Sequence, residues 1–243
     1  MDLKTKPNST LNSLPFLSNV GIETVDLYIG STRTHYRVHK HILCTKIPCF
    51  NKMFNGSFSE ASSNSADFPE DFPDSFDILL EWAYSQYHPL RPLNRVSSDS
   101  LDLSWNAIEF YLLMDKLCMP DFMNEAMDLL RQFLKDNNLL ISIEQVIYVY
   151  RRSLPSSKLR LYILNGLLYG FSLDREPDST LLVRLVDIIR EETDLTADFL
   201  TAVQDQVRGG PKSTNPSAGD GGIYHIHGIG ISCSCSLNER RCG

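Results

Sequence analysis

The sequence predicts an α+β chain: a strand hairpin near the amino end, followed by a run of helices. Three observations predict this. Val25-Asp26-Leu27-Tyr28-Ile29 alternates apolar residues with others, as a half-buried strand does. Tyr36-Arg37-Val38-His39 alternates again after a turn at Gly30-Ser31-Thr32. From Phe50 onward apolar residues recur at three- and four-residue spacing, the pattern of one helix face. With 42% of its 243 residues hydrophobic, the chain can bury the core of one large or two small domains.

Residues 1–20 are polar and irregular, with only Leu11, Leu14, Phe16 and Leu17 able to pack, and read as a flexible arm. After the hairpin, Lys40-His41-Ile42-Leu43-Cys44 opens a helix, and Phe50, Met53 and Phe54 mark a second. Ala61-Ser62-Ser63-Asn64-Ser65 is a loop by composition. Pro73 then starts a helix whose stripe is Phe76, Leu79, Leu80 and Ala83. Residues 86–104 form a long loop rich in Pro and Ser. Ser104 is the expected cap of a helix carrying Ala107, Tyr111, Met114 and Cys118. Pro120 suits the first turn of the next, which carries Phe122, Ala126, Leu129, Leu130 and Phe133.

Ser142-Ile143-Glu144-Gln145 is a capping box opening a helix with Val146, Ile147 and Tyr150 on its stripe. Further helices follow: one after Pro155 (Leu159, Tyr162, Ile163, Leu167, Leu168), one from about Ser179 (Leu181, Leu182, Leu185, Ile188, Ile189), and a last one (Phe199, Leu200, Val203, Val207). From Gly209 the composition shifts to Gly, Pro and Ser, as in a disordered tail.

The hairpin, the His39-Lys40 helix entrance, the second helix and the Gly56-Ser57-Phe58-Ser59-Glu60 exit, in this order, resemble the opening half of a BTB/POZ domain. Phe68-Pro69-Glu70-Asp71-Phe72-Pro73 and Leu79-Leu80-Glu81-Trp82-Ala83-Tyr84 are similar to the family's third strand and following helix. Tyr111 to Met119, with Asp115-Lys116-Leu117-Cys118, look like the next helix as fungal single-BTB proteins write it. The resemblance implies the α+β BTB/POZ fold, a small mixed sheet flanked by a helical cluster, over 21–135, followed by an α-helical extension over 136–207 and a flexible, disordered tail over 208–243. Such an extension is similar to the helical segment that follows BTB domains in adaptor proteins.

The formal charge of −7 argues against a nucleic-acid footprint, which needs clustered Lys and Arg. No apolar run approaches the roughly 20 residues of a membrane span, and the first residues lack a signal-type segment, so an intracellular protein of cytoplasm or nucleus is expected. Six cysteines show no secreted-type framework; Cys44, Cys49 and Cys118 fall in apolar helical patterns and are expected reduced and buried.

No phosphate-cradling loop, dinucleotide fingerprint or nucleophile elbow occurs, and neither a catalytic residue nor a cofactor is assigned. His39 lies where the family has a structural His, which together with the lack of further ligands disfavours a metal pair with His41. His225, His227, Cys233 and Cys235 are zinc-ligand types, but their spacing fits no known finger, so no metal is assigned and incidental ligands on a tail are expected. A zinc-dependent hydrolase would need a tail metal and a general base beside it. Asp67, Glu70, Asp71, Asp74 and Asp77 read as a solvated surface and helix start.

The resemblance implies function through protein partners. Phe58-Ser59-Glu60 matches the hydrophobic-x-Glu motif by which cullin-binding members meet their ubiquitin-ligase scaffold: an aromatic anchor fills a pocket while the carboxylate orients the approach. The other reading has Phe58 folded into its own core. Asp26 and Lys40 match the charged-pocket positions of dimeric members, or else pair with each other. The expected function is a protein-interaction module, either a substrate adaptor of a cullin ligase or a self-associating scaffold or transcriptional-type regulator without a ubiquitin role. Homodimerisation would lack a recognisable amino-terminal exchange element.

Overall fold

In the computed structural model the described residues are 20–85, 89–95, 103–173, 184–186 and 191–227. The arm expected over 1–20 therefore lies almost wholly outside them, as do most of the 86–104 loop and most of the helix expected from Ser179. Contacts divide the chain into two units. One holds residues up to Glu70 together with Ala83–Ser85; the other holds Asp71–Trp82 together with the residues from Gln86 on.

The first unit is built on a three-stranded sheet of order β2-β1-β3, with β1 at Thr24–Ile29, β2 at Thr34–His39 and β3 at Ser65–Phe68. β1 runs antiparallel to β2, Thr24 opposite His39 and Ile29 opposite Thr34, and parallel to β3, Asp26 opposite Ser65. Gly30 (φ 73°) and Arg33 (φ 52°) take left-handed conformations, and the Arg33 N–H donates to the Gly30 carbonyl at 3.0 Å, closing the hairpin. Alternation makes the sheet two-faced: Val25, Leu27 and Ile29 are fully buried, while Asp26 and Tyr28 point the other way.

Helices α1 (Lys40–Lys46) and α2 (Pro48–Asn55) supply Leu43, Ile47, Phe50 and Phe54 to the core of this unit. Phe50 stacks on Phe54 and meets Phe68 edge-on. His39 precedes α1, and its backbone N–H donates to the Tyr84 hydroxyl at 3.0 Å while its Nδ1 lies 2.8 Å from the same oxygen. The Tyr84 hydroxyl thus ties the His39 backbone to its own ring nitrogen, a structural role for His39. The loop expected over Ala61–Ser65 is instead mostly a short helix, α3 (Ser59–Ser63), which ends at Asn64 in the left-handed region.

In the second unit, α4 (Pro73–Tyr84) contributes its residues up to Trp82. α5 (Ala107–Lys116) is capped by Asn106, not by Ser104: the Asn106 side chain accepts from the N–H groups of Ile108 and Glu109. A carboxamide directly before the first helical residue reaches both orphan donors, and Ser104 is two residues too early. α6 (Pro120–Asp136) starts on its proline as expected and forms a hairpin with α5. Between them Cys118 sits at φ 56° in the helix-ending position and is exposed, and Cys49 is half-buried; of the three cysteines expected in the interior only Cys44 is buried. Asp71 also departs from the solvated acidic surface: it is buried and accepts a 2.6 Å hydrogen bond from Lys116.

The capping box opens α7 (Ile143–Arg152) as the sequence indicates, with Ser142 and Gln145 bonded reciprocally. α8 (Lys158–Leu173) and α9 (Thr193–Val207) complete the cluster. The buried face of α9 is Leu195 and Phe199, whereas the expected stripe residues Leu200 and Val207 are exposed. The tail is corrected in its first part. Residues 209–227 are ordered and lie on α6 and α8 through a 3-10 turn at Gly221–Tyr224, with Ser217, Tyr224 and His225 buried; residues 228–243 lie outside the described ones.

Arg160 on α8 ties this cluster together. Its guanidinium is buried, donates at 2.6 Å to the carbonyls of both Tyr150 and Ser153 at the end of α7, reaches the Ser153 hydroxyl at 3.1 Å, and pairs at 3.0 Å with Asp194 on α9. A cation at a helix end satisfies carbonyls that lack intrahelical partners. Arg160→Ala leaves them unpaired inside the protein and is expected to cost on the order of 3 kcal/mol in urea unfolding. A loss below about 1 kcal/mol would show that water replaces the guanidinium.

Candidate partner-binding surface

The Phe58-Ser59-Glu60 segment owes its position to the way α2 stops. Phe54 and Phe58 are four residues apart, so a continuing helix would place both on the buried face. Gly56 prevents it: the backbone there is extended (φ −90°, ψ −155°), and a Cβ would collide with the Lys52 carbonyl. The chain swings out, Phe58 takes the extended capping position before α3, and its carbonyl accepts the Ala61 N–H at 3.1 Å. Phe58 is 59% exposed while Phe54 is buried. The reading in which Phe58 folds into its own core is thereby corrected.

Glu60 is in the first turn of α3, half-buried, and accepts a 3.0 Å hydrogen bond from the Ser59 hydroxyl. Together, Phe58 and Glu60 offer an unsatisfied apolar ring beside a carboxylate, the combination suited to a pocket rimmed by donors.

Asp26 and Lys40 do not pair with each other. Asp26 lies on the outward face of β1, where Arg37 across the hairpin donates from Nε at 2.8 Å and from Nη2 at 3.2 Å, and His35 Nε2 donates at 2.6 Å. These hydrogen bonds, Arg37's first, hold the Asp26 carboxyl down to about 2. Tyr28 stacks on His35, and Arg33 lies over Tyr28 while pairing with Asp67, so the outward face is a continuous charge-paired surface. Lys40, on the opposite side of the sequence's proposed pair, donates to Asn64 Oδ1 at 3.2 Å and lies 3.9 Å from Glu23. The two sequence-predicted residues are linked through Asn64, whose backbone carbonyl accepts the Asp26 N–H at 2.9 Å.

Sequence reasoning missed Arg37 and His35. Hairpin register carries the signal: with the turn at 30–33, alternation places Asp26, Tyr28, His35 and Arg37 on one face. Beside α1 and α2, Gly21, Ile22, Lys40, His41, Cys44 and Asn51 line a groove of about 650 Å³. Ile22 is 97% exposed there. No group of three or more metal-ligating side chains occurs among the described residues. His225 donates to Asp128 at 2.8 Å, and Cys233 and Cys235 lie outside the description. No helix among the described residues is long and apolar enough to cross a membrane.

Residues 17–134 match the family model of the BTB/POZ domain. The small mixed sheet with its helices is that fold, and this part of the chain is a protein–protein interaction module of a kind that generally lacks catalysis and often self-associates. No curated protein matches the chain.

The depressed Asp26 carboxyl fixes the sign of one acid effect. A carboxyl whose folded value lies below its unfolded one stabilises the fold above the unfolded value, and that contribution fades as pH falls through the folded one. The melting-temperature advantage of wild type over Asp26→Asn should therefore be full above about pH 5 and vanish by about pH 1. A difference that does not change with pH would assign the effect to packing.

Proposed function

We propose that the chain is a substrate adaptor of a cullin-based ubiquitin ligase, with Phe58 as anchor, Glu60 as orienting carboxylate, and Ser59 between them. The observation that carries this reading is Phe58 itself: a large apolar side chain is held in water beside Glu60 by a helix break that only glycine allows. Exposed apolar side chains next to a well-placed charge mark interaction sites more often than isolated ones do. Asp26 and Lys40 support the surface from either end of Asn64 and are proposed to contribute at its edge. The helices over 136–207 or the tail beyond them are the part proposed to hold a client.

The second reading is a self-associating scaffold or transcriptional-type regulator without a ubiquitin role. Its support is the groove beside α1 and α2 with the almost fully exposed Ile22 at its edge.

The test is calorimetric titration of the full chain with the amino-terminal domain of the cullin that serves BTB adaptors. Saturable binding is expected, weakened roughly thirtyfold by Phe58→Ala, which is about 2 kcal/mol, and less by Glu60→Ala. A folded wild-type chain that does not bind would remove the adaptor reading; if that chain also sediments as a dimer that Ile22→Asp splits, the scaffold reading stands.

A further inference from the structure

The ordered part of the tail contacts the helical unit in an unusual way. Core helices meet through apolar side chains, but residues 216–226 are held largely by their main chain. Arg131 on α6 donates from Nε to the Pro216 carbonyl at 3.2 Å and from Nη2 to the Gly219 carbonyl at 2.5 Å. Asn124, two turns earlier on α6, grips Ile226 from both sides: its Nδ2 donates to the Ile226 carbonyl at 2.9 Å, and its Oδ1 accepts the Ile226 N–H at 2.7 Å. Lys158 at the start of α8 donates to the Ile223 carbonyl at 3.0 Å. A helix side chain that completes both main-chain hydrogen bonds of one residue does what a neighbouring strand would do, and it reads backbone rather than sequence.

Side-chain selection is confined to a few places. The Tyr224 ring is buried edge-on against Tyr162, with its hydroxyl accepting from Asn165 at 3.0 Å and Arg131 lying over its face. His225 is buried and donates to Asp128. Ser217 shares a 2.8 Å hydrogen bond with the Tyr162 hydroxyl. At Gly221 a Cβ would push on the Arg131 guanidinium that holds the Pro216 and Gly219 carbonyls. Ile223, the large aliphatic residue at the middle of the turn, is 56% exposed and contributes no core.

Main-chain capture, one aromatic anchor and one position where a side chain would disturb the gripping guanidinium are the features of a peptide-binding groove. We propose that the α6–α8 surface is such a groove, that residues 216–226 are its resident occupant, and that it accepts the same segment from a second copy of this chain. The connection favours exchange. Residues 208–215 join α9 to the first gripped carbonyl, Gly209 is in a left-handed conformation (φ 94°), and eight extended residues reach about 28 Å. Short hinged connections of this kind allow an element to leave its own body for an identical one.

The experiment uses the full chain and a fluorescein-labelled synthetic peptide of residues 214–227, read by anisotropy. In wild type the resident segment competes, and the apparent affinity is reduced by the fraction of grooves that are open. A chain carrying Tyr224→Ala and His225→Ala loosens its own segment but keeps every groove residue. It is expected to bind the peptide at least about tenfold more tightly than wild type does. Adding Arg131→Ala, or placing Gly221→Ala in the peptide, should reverse that gain. A folded double variant that binds no better than wild type overturns the proposal. Should the double variant unfold, hydrogen exchange on the wild-type chain decides: the Ile226 amide must exchange through an opening that leaves α6 and α8 protected, and exchange only with global unfolding overturns the proposal as well.

Discussion

Strand β1 is the constraint on which the first unit depends. It is the middle strand, bonded on both edges, and its alternate residues Val25, Leu27 and Ile29 are completely buried. A shift of one residue in its register would send those three to water and bring Asp26 and Tyr28 into the core, so the register is fixed by burial. Fixing it also fixes the opposite face. Asp26 is brought opposite Arg37 and near His35, and its N–H is brought to the Asn64 carbonyl that ends α3. The surface proposed to meet partners is thus set by the same strand that organises the core.

Phe58 illustrates how a local backbone event decides whether a side chain joins the core or faces water. Its spacing from Phe54 fits the helix face that makes the core, and only the break at Gly56 separates the two fates. Burying a phenylalanine would stabilise the domain by about 2 kcal/mol, so its exposure is a stabilisation the fold forgoes. A partner pocket is the setting proposed to desolvate that ring.

Much of the fold was legible because it rests on short-range rules. Alternation identified β1 and β2, the Ser142–Gln145 box identified the start of α7, and Pro120 identified the start of α6. What escaped was governed by single contacts. Asn106 outcompeted Ser104 as cap, and Cys118 left the interior because a helix end needed a left-handed residue. The tail from 209 to 227 carries no periodicity, since its order comes from Arg131 and Asn124, residues 85 to 102 positions away in the chain. Composition alone reads such a segment as disordered, because main-chain hydrogen bonds leave no trace in the residues that make them. For the candidate site, Phe58 and Glu60 could be picked out by motif, yet whether the ring faced water depended on the conformation of Gly56. Pairing of Asp26 with Arg37 was accessible through hairpin register and was missed by matching Asp26 to Lys40.

The central claim is that Phe58 stands in water until a partner covers it. Hydroxyl-radical footprinting of the full chain, free and with saturating cullin amino-terminal domain, measures this directly. The account predicts that Phe58 is oxidised readily in the free chain while Phe50 and Phe54 are not, and that the scaffold suppresses oxidation at Phe58 and leaves Tyr224 unchanged. Oxidation of Phe58 as slow as that of Phe54 in the free chain, or as fast with the scaffold as without it, would contradict it.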